Sequence, residues 1–168
     1  MDGTPVPASP SRHPAPGRVS GQERPLIRVL VAEDVAVVRE TLAALLGLEP
    51  DIQVVAAIAS GDQIVPAALE HRPDVALLDI GLPGVDGLTA AAGLALRVPG
   101  CRVLILTGLE APGNLHAARR AGVCGFLLKD GPAGELIRAV RAVARGERVT
   151  DARLAGEAPG PRVPAPEA

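Results

Sequence analysis

Five short apolar runs organise the middle of this chain: LIRVLVA (26–32), IQVVAAI (52–58), DVALLD (74–79), CRVLILT (101–107) and CGFLLK (124–129). Most are apolar at successive positions rather than alternate ones, the pattern of parallel strands covered by helices on both faces. The segments between them carry helical spacing. After the first run, Val35, Val38, Leu42, Leu45 and Leu46 share one helical face. After the fifth, Pro132 marks a helix start, Leu136, Val140 and Val143 form a stripe, and Gly146 closes it. Arg138, Arg141 and Arg145 fall opposite that stripe and read as a solvated face. Pro66 falls well inside the helical segment between the second and third runs, so a kink, a late start or a short helix is expected there.

Strand–helix alternation repeated five times predicts an α/β fold. The expected form is a flavodoxin-like, doubly wound sheet of five parallel strands, order 2-1-3-4-5, with helices on both faces. The folded unit is expected to span 26–146 of the 168 residues, because ten of the seventeen prolines lie before Leu26 or after Gly146. Residues 1–25 and 147–168 therefore read as disordered Pro-rich ends. Neither a signal peptide nor a run long enough to span a bilayer is evident, so a cytoplasmic setting and no membrane partner are expected. One Phe, no Trp and no Tyr argue against a stacking platform for single-stranded nucleic acid. A formal charge of −2 gives no basic footprint for duplex DNA. Cys101 and Cys124 read as small buried hydrophobes in a reducing compartment.

In an open parallel sheet, ligands bind beyond the carboxyl ends of the strands, where the strand order reverses. Here the reversal lies between strands one and three. Strand one ends in VAED, delivering Glu33 and Asp34, and strand three ends in Asp79. Two carboxylates about 4 Å apart repel by roughly 1 kcal/mol in water and roughly 4 at an intermediate dielectric. Three converging acids therefore call for protonation or a cation, and hard oxygen ligands at a wet edge suit Mg²⁺. Glu33 or Asp34 could instead cap a helix. Strand four ends at Thr107, a hydroxyl donor, followed by Gly108, whose backbone N–H a ligand can approach closely. Strand five ends at Lys129, which alone would be an ordinary solvated strand end. Acids with Mg²⁺ on one side, and a lysine and hydroxyl on the other, make a cradle for an aspartyl phosphate with Asp79 as nucleophile. The Gly- and Pro-rich GLPGVDG after it then reads as a mobile loop that leaves room for metal and donor.

The acidic pair Glu33–Asp34, the segment LLDIGLPGVDG, the pair Thr107–Gly108 and GFLLKD (125–130) together make the chain resemble the receiver domain of two-component response regulators. The resemblance covers roughly the whole middle of the chain. It implies that Asp79 accepts phosphate from a sensor histidine kinase. It also implies that Glu33, Asp34, Asp79 and the backbone carbonyl of Gly81 surround Mg²⁺, with Thr107 and Lys129 on the phosphoryl oxygens. Phe126 matches the family's aromatic switch, whose ring follows Thr107; core packing is the plainer reading of the same residue. The output face would be the fourth helix, fifth strand and fifth helix, through homodimerisation, with His116, Arg119 and Arg120 near it and His116 a surface residue.

GLEAPGNLHAARRAGVCGFLLKD is most similar to the NarL/FixJ type, in which a C-terminal helix-turn-helix follows the receiver. Only 22 residues follow Gly146, whereas such a unit needs on the order of 60 to bury its core. No direct DNA binding by this chain is expected. It reads as a regulator truncated before its helix-turn-helix, or as a free-standing receiver acting by protein contact or as a phosphate sink. Glycine at 81 also departs from the polar residue more usual there; the backbone ligand should survive, while dephosphorylation may change. An aspartyl-phosphate phosphatase would need a general acid, often an Asp two residues after the nucleophile, where this chain has Gly81. A phosphorelay receiver, rather than an enzyme, is the expectation.

Overall fold

The computed structural model describes residues 25–108 and 120–150. In chain order the elements are β1 (Ile27–Ala32), α1 (Ala36–Gly47), β2 (Ile52–Ile58), a 3₁₀ turn (Gly61–Gln63), α2 (Ile64–His71), β3 (Val75–Asp79), α3 (Gly87–Arg97), β4 (Arg102–Thr107), β5 (Gly125–Leu128), α4 (Ala133–Ala144) and β6 (Val149–Thr150). Here α4 is the fifth helix anticipated from the sequence. The anticipated fourth helix, with His116 and Arg119, falls on 109–119 and lies outside the described residues; so do most of the two Pro-rich ends. Arg120 is exposed.

The strands are all parallel and run in the order β2-β1-β3-β4-β5-β6. The expected 2-1-3-4-5 order holds, but the expectation of five strands is corrected to six. β6 lies past Gly146, where the sequence placed the end of the folded unit, and pairs Val149 with Gly125 and Thr150 with Phe126. Two residues are too few to show a periodicity, and the Pro-rich stretch that follows hides them. Gly125 makes the pairing possible, because a Cβ there would sit 2.9 Å from the Val149 carbonyl oxygen.

Each face of the sheet carries its own core. On one, Leu30, Leu78 and Ile105 pack with Ile64, Ala68, Ala91 and Leu94 from α2 and α3. On the other, Val31, Leu77, Leu104 and Leu127 pack with Leu46 of α1 and Leu136, Val140 and Val143 of α4. This two-sided burial is why the strands read as continuous apolar runs. Cys101 joins the first core, and burial pushes its thiol up to about 12, as an inert buried hydrophobe requires. Both cysteines are free.

Pro66 is the third residue of α2, and the eight-residue helix follows a 3₁₀ turn. A late start puts the proline where the first-turn N–H groups have no helical partner anyway. Two helical readings need correction. Arg141 is not simply solvated: its guanidinium grips Asp51 with two bonds of 2.8 Å and Glu49 with one of 2.9 Å, tying α4 to the turn before β2. The α1 stripe is buried fully only at Leu46; Val38 is 37% and Val35 50% exposed. An apolar groove of about 280 Å³ lies between α1 and α4, with Lys129 in its lining.

The register sets the strand ends level. Ala32 faces Leu78, Asp79 faces Leu106 and Thr107 faces Leu128, so the residues at or just beyond these ends share one edge. At the opposite edge Arg72 caps α2 in the left-handed region, φ 49° and ψ 59°. A Cβ is costly there, and Arg72→Gly is expected to stabilise the fold by about 0.5–1 kcal/mol net of glycine's extra chain entropy. Urea denaturation should show a higher midpoint with an unchanged slope.

Candidate functional site

The chain leaves β1 through Glu33 and Asp34, and three contacts pin this turn. The Glu33 N–H donates to the Ile58 carbonyl at 3.0 Å. Arg39, one turn into α1, donates from Nη1 to the carbonyl oxygens of Glu33 at 2.8 Å and Asp34 at 3.4 Å. Across the strand-order reversal, Asp79 ends β3 with its side chain buried. Its Oδ1 accepts the Gly81 N–H at 3.2 Å, and its Oδ2 lies 2.9 Å from Lys129 Nζ. Lys129 is placed by its own backbone, whose N–H donates to the Thr107 carbonyl at 3.0 Å. One carboxylate oxygen from each of Glu33, Asp34 and Asp79 lies within 4.8 Å of the others. The sheet therefore brings the acidic triad and the lysine into one pocket.

The charges do not balance. Among the described residues, Lys129 Nζ contacts Asp79 and, at 3.4 Å, Glu33 Oε2, so one ammonium reaches two of the three acids. Glu33 is wholly buried, and despite that ion-pair distance its Oε2 accepts no hydrogen bond from any of the described residues. Burial raises the Glu33 carboxyl above its ordinary range; contact with and charge from Asp79 add to this, while Lys129 and the Val35 N–H oppose it. For Lys129, burial pulls downward, but its contact with Asp79 and the negative charges of Asp79 and Glu33 prevail and raise it. A buried carboxylate oxygen without a donor, two more acids and an exposed Asp34 open to water suit a hard divalent cation that keeps some of its waters. The residues present fit such an ion.

Thr107 ends β4 buried, its hydroxyl donating to the Gly108 carbonyl at 3.2 Å. A Cβ added at Gly81 or Gly108 would meet nothing within 4 Å, so space is open beside both backbones. Phe126 is buried in the first core with Ile105 and Leu128. The loop after Asp79, expected to be mobile, carries two backbone hydrogen bonds: Gly87 N–H donates to the Ile80 carbonyl and Gly61 N–H to the Pro83 carbonyl, both at 3.0 Å. Its glycines permit close backbone contact. Arg39 and Gly61 were not among the residues singled out from the sequence. Arg39 had a signal, a cation one turn after an acidic pair; Gly61 had none, since its contact joins segments far apart in the chain.

Residues 29–141 match the response regulator receiver domain. The chain belongs to that family. The receiver is 40% identical over 124 residues to the transcriptional regulatory protein DesR of Bacillus subtilis, covering 74% of this chain and 61% of DesR. It is 37% identical over 129 residues to the oxygen regulatory protein NreC of Staphylococcus epidermidis, covering 76% of this chain and 59% of NreC. It thus spans about three fifths of the length of these curated relatives. Among solved structures, the receiver domain of NarL from Mycobacterium tuberculosis superposes with a TM-score of 0.71 at 34% identity, over 74% of this chain and all of that one. A LuxR-family response regulator from Aurantimonas gives 0.75 at 28% identity, over 79% of this chain and 95% of the other. The receiver is thus of the NarL/LuxR type, whose role is to accept a phosphoryl group in two-component signalling.

The raised Glu33 carboxyl carries a pH signature in metal-free protein. A carboxyl raised on folding favours the fold below the ordinary glutamate range and loses that contribution as pH rises through its folded-state value. Glu33→Gln is therefore expected to melt higher than wild type in chelator at pH 8, with the gap closing as pH falls. Thermal melts across that range check the sign.

Proposed function

We propose that Asp79 is the phosphoacceptor of this receiver and that Glu33, Asp34, Asp79 and the Gly81 backbone carbonyl hold Mg²⁺ beside it. The supporting observation is the contact of 2.9 Å between Lys129 Nζ and Asp79 Oδ2, made next to a buried glutamate oxygen that has no donor. An Asp79 carboxylate oxygen attacks the phosphorus of a phosphohistidine. The O–P bond forms, the P–N bond breaks, and its electron pair returns to the ring nitrogen. Bound Mg²⁺ would supply positive charge to the transferring group. Lys129 neutralises a second side of it, and with Asp79 phosphorylated its ammonium turns from carboxylate to phosphoryl oxygen. The Thr107 hydroxyl and the Gly108 N–H donate to the remaining oxygens. Positioning and electrostatics carry such a transfer, so a shallow pocket suffices.

The donor in this reading is a sensor histidine kinase, and the setting is cytoplasmic; among the described residues no helix is long and apolar enough to cross a membrane. Reorientation of Thr107 on phosphorylation, followed by Phe126, would alter the face that includes β5 and α4, through which a homodimer would form; the anticipated fourth helix of that face lies outside the described residues. Control of transcription is the output in this reading, supported by the name of DesR, without DNA contact by the receiver itself. A phosphatase reading lacks support, because Gly81 stands where its general acid would be.

With Mg²⁺ and a small phosphodonor such as acetyl phosphate, wild type should gain one phosphoryl group and Asp79→Ala none. Intact-mass spectrometry reads both. Equal labelling of the two proteins contradicts the assignment. Lys129→Ala should cost roughly 10²-fold or more in phosphorylation rate, the scale on which removal of a preorganised electrostatic group is felt.

A further inference from the structure

The loop from Ile80 to Asp86 is fastened at both ends, and the outer fastening comes from a separate segment. At its base, Gly87 lies so close to β3 that a Cβ would sit 2.4 Å from the Asp79 carbonyl oxygen. At its tip, the buried Gly61 donates its N–H to the Pro83 carbonyl at 3.0 Å. A Cβ on Gly61 would fall 1.5 Å from the Val85 carbonyl oxygen and 2.5 Å from its carbonyl carbon. Backbone meets backbone there, so no side chain can rotate aside. The neighbouring Asp62 carboxylate lies against Gly84, where φ is +80° and a Cβ would meet Oδ1 at 2.7 Å. Gly61 thus fixes the height of a loop whose second residue is Gly81.

Resting on the reading of Asp79 and Mg²⁺ given above, we propose that Gly61 is a positioning residue for the metal site: its close contact with Pro83 and Val85 holds the Gly81 carbonyl where the ion needs it. Beside Gly81 itself space is open, with nothing within 4 Å of the place its Cβ would occupy. Its N–H is committed to Asp79 Oδ1 at 3.2 Å, so a shift of the loop moves the carbonyl ligand and the orientation of the Asp79 carboxylate together. The β2–α2 turn, which supplies no ligand, would then set the affinity of the site through geometry alone.

The test compares wild type, Gly61→Ala and a control, Ala142→Gly on α4, far from the loop. Mg²⁺ is titrated into each ¹⁵N-labelled full chain, with a thermal melt in chelator for each. The expected result is at least about tenfold weaker Mg²⁺ binding by Gly61→Ala, on the scale of lost outer-shell support, with the control binding like wild type. If Gly61→Ala fails to fold, the wild-type spectra decide. The Gly61 and Gly81 amides should then shift along one Mg²⁺ binding curve, and a Gly61 amide indifferent to Mg²⁺ would overturn the proposal. Folded Gly61→Ala with wild-type affinity overturns it alone. Wild type that binds no Mg²⁺ overturns the site reading and, with it, this inference.

Discussion

Everything in this pocket follows from an imbalance: among the described residues, three carboxylates face one ammonium at the edge of a sheet. Lys129 reaches two of the acids, at 2.9 and 3.4 Å, and cannot satisfy them all. The fold tolerates the surplus because the site lies at its rim, where Asp34 is open to water. In the proposed reading, the same surplus of charge is what draws a cation to the site. A phosphoryl group carried on Asp79 would itself add negative charge, so the pocket must be able to gather positive charge beyond the lysine. Hence its chemistry is one of charge and placement, with no role for an elaborate cavity.

The sheet supplies the placement. Parallel register brings strand ends level, and the reversal between β1 and β3 sets Glu33 beside Asp79 rather than beneath a covering helix. Two independent cores hold that register from both faces. The clamp of Arg141 on Asp51 and Glu49 fastens α4 across the opposite end of the sheet. The site itself is built from turns and strand ends that carry the unbalanced charge.

Much of this was legible from the chain. Apolar runs at 27–32, 75–79, 102–107 and 125–128 read as strands buried on both sides, and the residues at or just past their ends pointed to the acids, Thr107 and Lys129. Pro66 foretold the late start of α2. What escaped were features that depend on contacts between distant segments. β6 is two residues long and is made possible by Gly125. The grip of Arg141 on Asp51 spans 90 positions, and nothing in α4 alone distinguishes it from Arg138. The glycines of GLPGVDG signal both freedom and closeness. The structure shows closeness at Gly87, packed against the Asp79 carbonyl, and at Gly84, against the Asp62 carboxylate, while space stays open beside Gly81.

The central claim is that the ends of β1, β3 and β5 form one divalent-cation pocket. Mn²⁺ substituted at low stoichiometry for Mg²⁺ tests it directly, by paramagnetic broadening of backbone amides. The account predicts that the amides of Glu33, Asp34, Asp79, Gly81 and Lys129 fade first and return when excess Mg²⁺ is added. Broadening centred instead on Glu49 and Asp51, or spread evenly over the acidic surface, would contradict it.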